Sequence, residues 1–253
     1  MKNTDISIYV PVFNGEKTIK KCVDSILNQT LKPCKILVIN DCSNDSTLNI
    51  LREYKDKINI HSNSENLGVS YSRNFAVNNL ETRFVASIDA DVELDKNWLK
   101  NLFKDMQENK ATLIGGRMFE KYLKNPCNLW RSLRIGQQWG DKDIENPNFV
   151  FGCNNLLDTE NLDTKDIFNF KDEYFKTNGE DIEFSNYLKK INFKIYYSSS
   201  SICHHLQDDN IDSLSRRYWR YIHYGDGLKK RNFVKTIKNI IRQLKKTIKW
   251  SLQ

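Results

Sequence analysis

The first 120 residues switch repeatedly between two hydrophobic periods, and that switching limits the fold more than any other feature. "DISIYVPVF" reads as a strand. "KTIKKCVDSILNQT" places apolar residues at 19, 22, 23, 26 and 27, the period of a helix with one buried face. "CKILVIN" is a short β-branched run, "NDSTLNILREYK" a second helix, "INIHS" a short strand, "GVSYSRNFAVNNL" a third helix and "RFVASID" a further strand. The order β-α-β-α-β-α-β predicts an α/β fold, a Rossmann-like, mostly parallel central sheet flanked by helices. Ligands of such sheets bind beyond the carboxyl ends of the strands.

Polar residues collect at that edge. The first strand ends in "PVFNGE", the second in "NDCSND", the third in "SENLG", and the fourth in "SIDADV". Each segment is ordinary turn chemistry taken singly; together they predict one polar crevice. Asp89 and Asp91 flank only Ala90. Read as extended chain, residues two apart share a side, and two carboxylates on one side call for a cation, with hard oxygen ligands suiting Mg²⁺ or Mn²⁺. Asp95 reads as the N-cap of a helix over "KNWLKNLFKDM".

Composition restricts the remaining possibilities. At 253 residues, 39% of them hydrophobic, the chain can bury a large core as one domain, or as one domain with an appendage. No apolar run approaches the roughly 20 residues that span a bilayer, and the N-terminal stretch lacks the flanks of a signal peptide. The six cysteines form no CxxC pair and sit mostly in apolar sequence, which predicts reduced thiols in a cytoplasmic protein. Charge is divided unevenly. Residues 216–253 hold twelve Lys or Arg against one acid, Asp226, a balance of +11, whereas residues 1–215 balance at −4.

Five stretches, "PVFNGEKTIKKCVDSILNQT", "VINDCSNDST", "ENLGVSYSRN", "SIDADV" and "NGEDIEFSNYL", occur in an order and spacing that resembles family 2 glycosyltransferases, enzymes of the GT-A fold that use nucleotide sugars. The resemblance covers about residues 5 to 225. It departs from the family at Asn40-Asp41, where two aspartates are usual. It implies a catalytic domain over 1–225, with a nucleotide-sugar half at 1–118 and an acceptor half at 119–225. It also implies that Pro11, Phe13, Asn14 and Glu16 line a nucleoside pocket, that Asp41 and Asn66 meet the base, typically uracil, and that Arg73 approaches the base or diphosphate. Asp89 and Ala90 would sit by the ribose, with Asp91, Asp89 and a histidine on a divalent metal, Mn²⁺ or Mg²⁺. Asp181 matches the family's general base, with Glu180 beside it; acids at a helix start are also simple dipole partners, and the two readings are compatible. The resemblance further implies inverting transfer from a UDP-sugar to a saccharide or lipid-linked glycan.

Three features stay open at the level of sequence. Adjacent His204 and His205 point opposite ways on an extended chain, and His205 is favoured as the metal-side residue. Trp130 and Trp139 are acceptor-stacking residues, core or part of a mobile lid, and the resemblance of "FVFGCNNLL" to a family strand near the acceptor implies that Asn154 or Asn155 lines that site. The tail over 226–253 carries apolar residues at 234, 237, 241, 244, 248 and 252 with basic residues between them, the pattern of a helix on an anionic membrane surface; packing on the domain is the alternative. The tail has no nucleic-acid motif, and no nucleic acid is expected as a partner. Two other activities fit less well. A nucleotidyltransferase would carry a glycine-rich loop after the first strand, and "PVFNGEKT" has one glycine. A non-catalytic nucleotide-sugar-binding protein would have no need of Asp181.

Overall fold

The computed structural model describes residues 5–165, 167–168, 179–225, 238 and 241–242. The chain runs β1 (Ile6–Val12), α1 (Ile19–Leu27), β2 (Lys35–Asn40), α2 (Thr47–Arg52), β3 (Asn59–Ser62), α3 (Val69–Asn79), β4 (Phe84–Ile88), β5 (Val92–Leu94), α4 (Trp98–Asn109) and β6 (Leu113–Glu120). It continues through α5 (Pro126–Arg134), β7 (Ile144–Glu145), β8 (Asn154–Asp158), α6 (Glu180–Lys190), β9 (Ile195–His205) and α7 (Ile211–Gly225). The basic stripe predicted for the tail lies outside the described residues. No helix among the described residues is long and apolar enough to cross a membrane.

The nine strands form one sheet in the order β3-β2-β1-β4-β8-β6-β9-β5, with β7 beside β9. The β3-β2-β1-β4 half is parallel throughout, as the alternating segments predict. The second half is mixed, because β8 enters antiparallel between β4 and β6, β9 runs parallel to β6, and β5 and β7 run antiparallel to β9.

Alternation along the buried strands sends side chains to opposite faces. Ile6, Ile8, Val10, Val12, Ile36 and Val38 pack with α1, α2 and α4 through Ile19, Val23, Ile26, Leu51, Trp98 and Leu102. Tyr9, Leu37 and Ile39 face the other layer with Ala76 and Val77 of α3 and Phe184 and Leu188 of α6. The result is a helix-sheet-helix sandwich whose parallel strands all end on one edge.

Two local expectations are corrected. Asn97, not Asp95, occupies the N-cap of α4; the Asp95 carboxylate is instead 3.1 Å from His204 Nε2. Cys22, Cys153 and Cys203 are buried and Cys127 packs on Trp130 and Leu214, whereas Cys34 and Cys42 are exposed; all six are free.

Candidate active site

The loops after β1, β2 and β4 enclose a cleft of about 320 Å³. Pro11, Phe13, Asn14, Asp41, Asp89, Ala90 and Asp91 line it, together with Gln207 and Arg217. Phe13 is 52% exposed and presents its ring to this space. Asn14 holds a left-handed φ of 53°, a conformation that asparagine tolerates better than most residues. Its Oδ1 accepts from the Asn44 amide at 2.9 Å, and its own amide donates to Ser43 Oγ at 3.0 Å. Glu16 accepts from the Ser46 amide at 3.1 Å and is absent from the cleft wall. Asn14 and Glu16 therefore tie the β1 loop to the β2 loop.

Asp41 is buried and builds the far wall. Its Oδ1 accepts from Asn63 Nδ2 at 2.7 Å and the Leu67 amide at 2.9 Å, and its Oδ2 accepts from the Gly68 amide at 2.8 Å. Gly68 stands at the start of α3 with φ 87°, a backbone that a side chain would strain. Asn66 is exposed, and its Nδ2 donates to the Asp41 carbonyl at 3.4 Å.

The two aspartates of "DAD" do not continue the strand. The Val92 amide donates to the Asp89 carbonyl at 3.1 Å, closing a turn over 89–92, so the side-sharing expected of extended chain gives way to two directions. Asp89 meets Arg73 Nη2 at 3.2 Å, while Asp91 meets His205 Nε2 at 3.2 Å. Among the described residues, no three His, Cys, Asp or Glu side chains converge as a metal-ligand set.

Arg73 is neither a solvated helix residue nor part of the cleft wall. It is 2% exposed and lies between Asp89 and Glu180, whose Oε1 is 3.5 Å away. Burial pushes the Asp89 carboxyl up to about 6 against the opposing pull of Arg73. Burial likewise raises Glu180 to about 7, with Arg73 opposing and Asp181 adding to the rise. Both acids open α6, behind Gly179 at φ 87°. Asp181 accepts from the Gly152 amide at 3.1 Å and the Ile182 amide at 2.9 Å. Burial raises its pKa, and the Gly152 amide and Arg73 work the other way.

At the other end of the cleft, burial opposes charge on His205, and the carboxylates of Asp91 and Glu120 overcome it, raising His205 to about 9. Burial also works to raise Asp91, and the charge and hydrogen bond of His205 outweigh it, holding Asp91 well below the usual carboxylate range. His204 is turned away toward Asp95 and Phe119.

The predicted acceptor residues divide. Trp130 is fully buried in α5, edge-on to Tyr218 at 5.1 Å, and is core. Asn154 is 1% exposed, and its Oδ1 accepts from Trp98 Nε1 at 2.6 Å. Asn155 donates to the carbonyls of Phe151 and Gly152. Both asparagines thus shape the loop from within instead of facing a ligand. Trp139 is half-buried in an aromatic group, with Phe149 at 5.2 Å and Phe151 at 5.7 Å. Gln207 and Arg217 were not singled out by the sequence, although Arg217 lies in the "SRRYWRYIHYGDGLKKR" run, whose basic and aromatic residues suit a headgroup boundary or an acceptor diphosphate.

A family model described as "Glycosyl transferase family 2" matches residues 7–163, more than half of the chain. The chain belongs to glycosyl transferase family 2. It is 33% identical over 116 residues to the glycosyltransferase GlyA of Streptococcus pneumoniae, a match covering 45% of this chain and 17% of that protein. It spans less than half the length of the curated relatives it matches first. Among solved structures, it resembles residues 1–349 of Staphylococcus aureus TarS, a poly(ribitol-phosphate) β-N-acetylglucosaminyltransferase, in complex with UDP. That likeness has a TM-score of 0.63 at 20% identity and covers 94% of this chain and 71% of the other. It also resembles a mannosyltransferase of Pyrobaculum calidifontis bound to GDP-Man and Mn²⁺, with a TM-score of 0.62 at 14% identity, covering 96% and 70%. These likenesses establish the GT-A fold.

Proposed function

We propose that this chain is a metal-dependent, inverting glycosyltransferase that moves a sugar from a UDP-linked donor to a saccharide or lipid-linked glycan. The observation that carries the reading is the strand-end cleft lined by Phe13, Asp41, Asp89 and Asp91, with His205 paired to Asp91 from outside the lining and Glu180 held on Arg73 behind Asp89.

Phe13 stacks on the base, while Pro11 and Asn14 bound the nucleoside and Asp41 fixes the loop it rests on. Arg217, on the cleft wall, faces the diphosphate. Asp91 and His205 would hold a divalent cation that displaces the His205 Nε2 proton, because an ionised carboxylate and a neutral imidazole nitrogen are suitable donors and His205 Nδ1 is held by Glu120, leaving Nε2 toward Asp91. A bound cation would offset the charge that builds on the departing nucleotide. Asp181 takes the proton of the acceptor hydroxyl as its oxygen bonds to the anomeric carbon, and the bond from that carbon to the phosphate oxygen breaks. One displacement from the face opposite the nucleotide inverts the centre. Burial suits Asp181 to this work by raising its affinity for a proton. Arg73 holds Asp89 and Glu180 on either side of this region.

The half-buried Trp139 group offers a ring face to an acceptor sugar. The basic balance of residues 216–253 favours attachment to an anionic membrane face, where a lipid-linked acceptor would be found.

The test is release of nucleotide from a panel of UDP-, GDP- and dTDP-sugars with Mn²⁺, with Mg²⁺ and with EDTA, repeated with candidate glycans. We expect metal-dependent turnover of one UDP-sugar, abolished by Asp181→Asn with UDP binding retained. Near-normal transfer by Asp181→Asn would remove the base assignment, and absence of both turnover and nucleotide binding would remove the whole reading.

A further inference from the structure

A ladder of polar and charged side chains runs behind the cleft and joins two residues of its wall, Asp91 and Arg217. Asp91 meets His205 Nε2 at 3.2 Å, and His205 Nδ1 lies 3.1 Å from Glu120 Oε2. Arg131 Nε donates to Glu120 Oε1 at 2.9 Å, and its Nη2 pairs with Glu120 Oε2. The same guanidinium donates through Nη1 to Asp209 and through Nη2 to the Gln207 carbonyl at 2.9 Å. Asp209 Oδ2 in turn lies 3.6 Å from Arg217 Nε, and its Oδ1 accepts from Gln207 Nε2 at 3.2 Å. Arg217 and Gln207 are the two cleft residues contributed by the last part of the described domain.

Burial makes this more than a surface network. The side chains of Arg131, Glu120 and Asp209 are 2%, 7% and 0% exposed. Such charges are tolerated in an interior only when each is paired and hydrogen-bonded, so their geometry is tightly fixed. Glu120 holds the ring nitrogen of His205 that points away from Asp91, the arrangement by which a carboxylate orients a histidine ligand. Asp209 is further fastened by Ser213 Oγ at 2.8 Å and by its own amide on Asn128 at 2.9 Å, giving Arg217 a rigid support. Among the described residues, Arg131 is the side chain that contacts both Glu120 and Asp209.

We propose that Arg131 is a positioning residue for the donor site: through Glu120 it sets His205 against Asp91, and through Asp209 it sets Arg217 and Gln207 on the cleft wall. The cation-holding and phosphate-facing parts of the site are thereby placed by one buried guanidinium that touches no substrate. The inference rests on the donor-site reading given above.

Two near-isosteric variants separate the branches in the full chain. Glu120→Gln should weaken Mn²⁺ binding, read by electron paramagnetic resonance, by about 10–100-fold, with UDP affinity in EDTA within twofold of wild type. Asp209→Asn should do the reverse, lowering UDP affinity in EDTA several-fold while Mn²⁺ affinity holds. The ¹⁵N spectrum of the His205 ring, recorded without ligands, should move in Glu120→Gln and stay in place in Asp209→Asn. A merely structural role would weaken both ligands together in both variants, and that result overturns the proposal. Wild-type binding of Mn²⁺ and UDP that both variants retain also overturns it, while leaving the donor site intact. A wild-type chain that binds neither Mn²⁺ nor UDP refutes the donor-site reading instead, and a His205 spectrum unmoved by Glu120→Gln would then refute the positioning claim on its own terms.

Discussion

Gly152 presses directly on the buried guanidinium of Arg73, and Gly152→Ala tests how tightly that group is held. A Cβ built at 152 would lie 2.0 Å from Arg73 Nη1 and 2.7 Å from Cζ. The end of an arginine side chain usually swings clear, but this one is enclosed, with its side chain 3% exposed and carboxylates of Asp89 and Glu180 on it. Overpacking of this kind costs about 1–3 kcal/mol. Should Arg73 leave Glu180, a buried carboxylate loses its partner and the cost rises toward roughly 3–5 kcal/mol. At about 2–4 °C of melting temperature per kcal/mol for a chain of this size, the fall is easily measured by thermal or denaturant unfolding. Activity should fall further than stability, because the Gly152 amide also donates to Asp181, and a shift of about 1 Å at a catalytic group costs on the order of 100-fold. Arg73→Lys supplies the control: without the guanidinium fork the alanine methyl has room, so the cost of Gly152→Ala in that background should drop by more than half. Full stability and turnover in Gly152→Ala, or equal costs in both backgrounds, would refute the claim that Arg73 is clamped.

Glu180→Gln tests the same cluster by pH. The Glu180 carboxyl is raised from 4.5 to about 7 in the fold, so the stability it contributes is complete below about 4.5 and is lost as pH rises through 7. The variant should therefore gain on wild type between pH 5 and 8, by up to about 3 kcal/mol in denaturant titrations; a constant difference across that range would count against the raised pKa. Trp130→Ala should destabilise by about 3–5 kcal/mol, whereas an intact melting curve with a raised acceptor KM would restore Trp130 to the acceptor site. Phe13→Ala should lower UDP affinity by about 1–3 kcal/mol with stability within about 0.5 kcal/mol, and unchanged affinity in calorimetry would displace the base from that ring.

The parallel half of the sheet was legible because each strand and helix there states its period locally, from "DISIYVPVF" to "RFVASID". The position of β8 was not, since nothing within "NNLLD" specifies that it will pair with both β4 and β6. The site divides in the same way. Phe13, Asp41, Asp89 and Asp91 follow from strand ends, and the structure gathers them on one cleft. The turn at 89–92 was hidden because "DAD" reads equally as extended chain. Arg73 was misplaced because its burial depends on Glu180, more than one hundred residues later in the sequence. Glu120, Arg131 and Asp209 each look like surface charges until the fold brings them together.

The β6–β8 pairing bears on how such a chain can be recombined. Gly115 stands opposite Asn155, so the intervening stretch, which holds the end of β6, α5, β7 and the Trp139 group, runs along β9 and returns beside its own starting point. A segment with adjacent ends can be exchanged as a cassette without disturbing the parallel half. Arg131 travels in that cassette, while its partners Glu120 and Asp209 include one residue within it and one beyond it. A transplanted cassette lacking an arginine at that place would take from the buried Asp209 its Arg131 partner and leave it Arg217 at 3.6 Å with the Ser213 and Gln207 hydrogen bonds, so compatibility between halves is a condition on one residue as much as on shape.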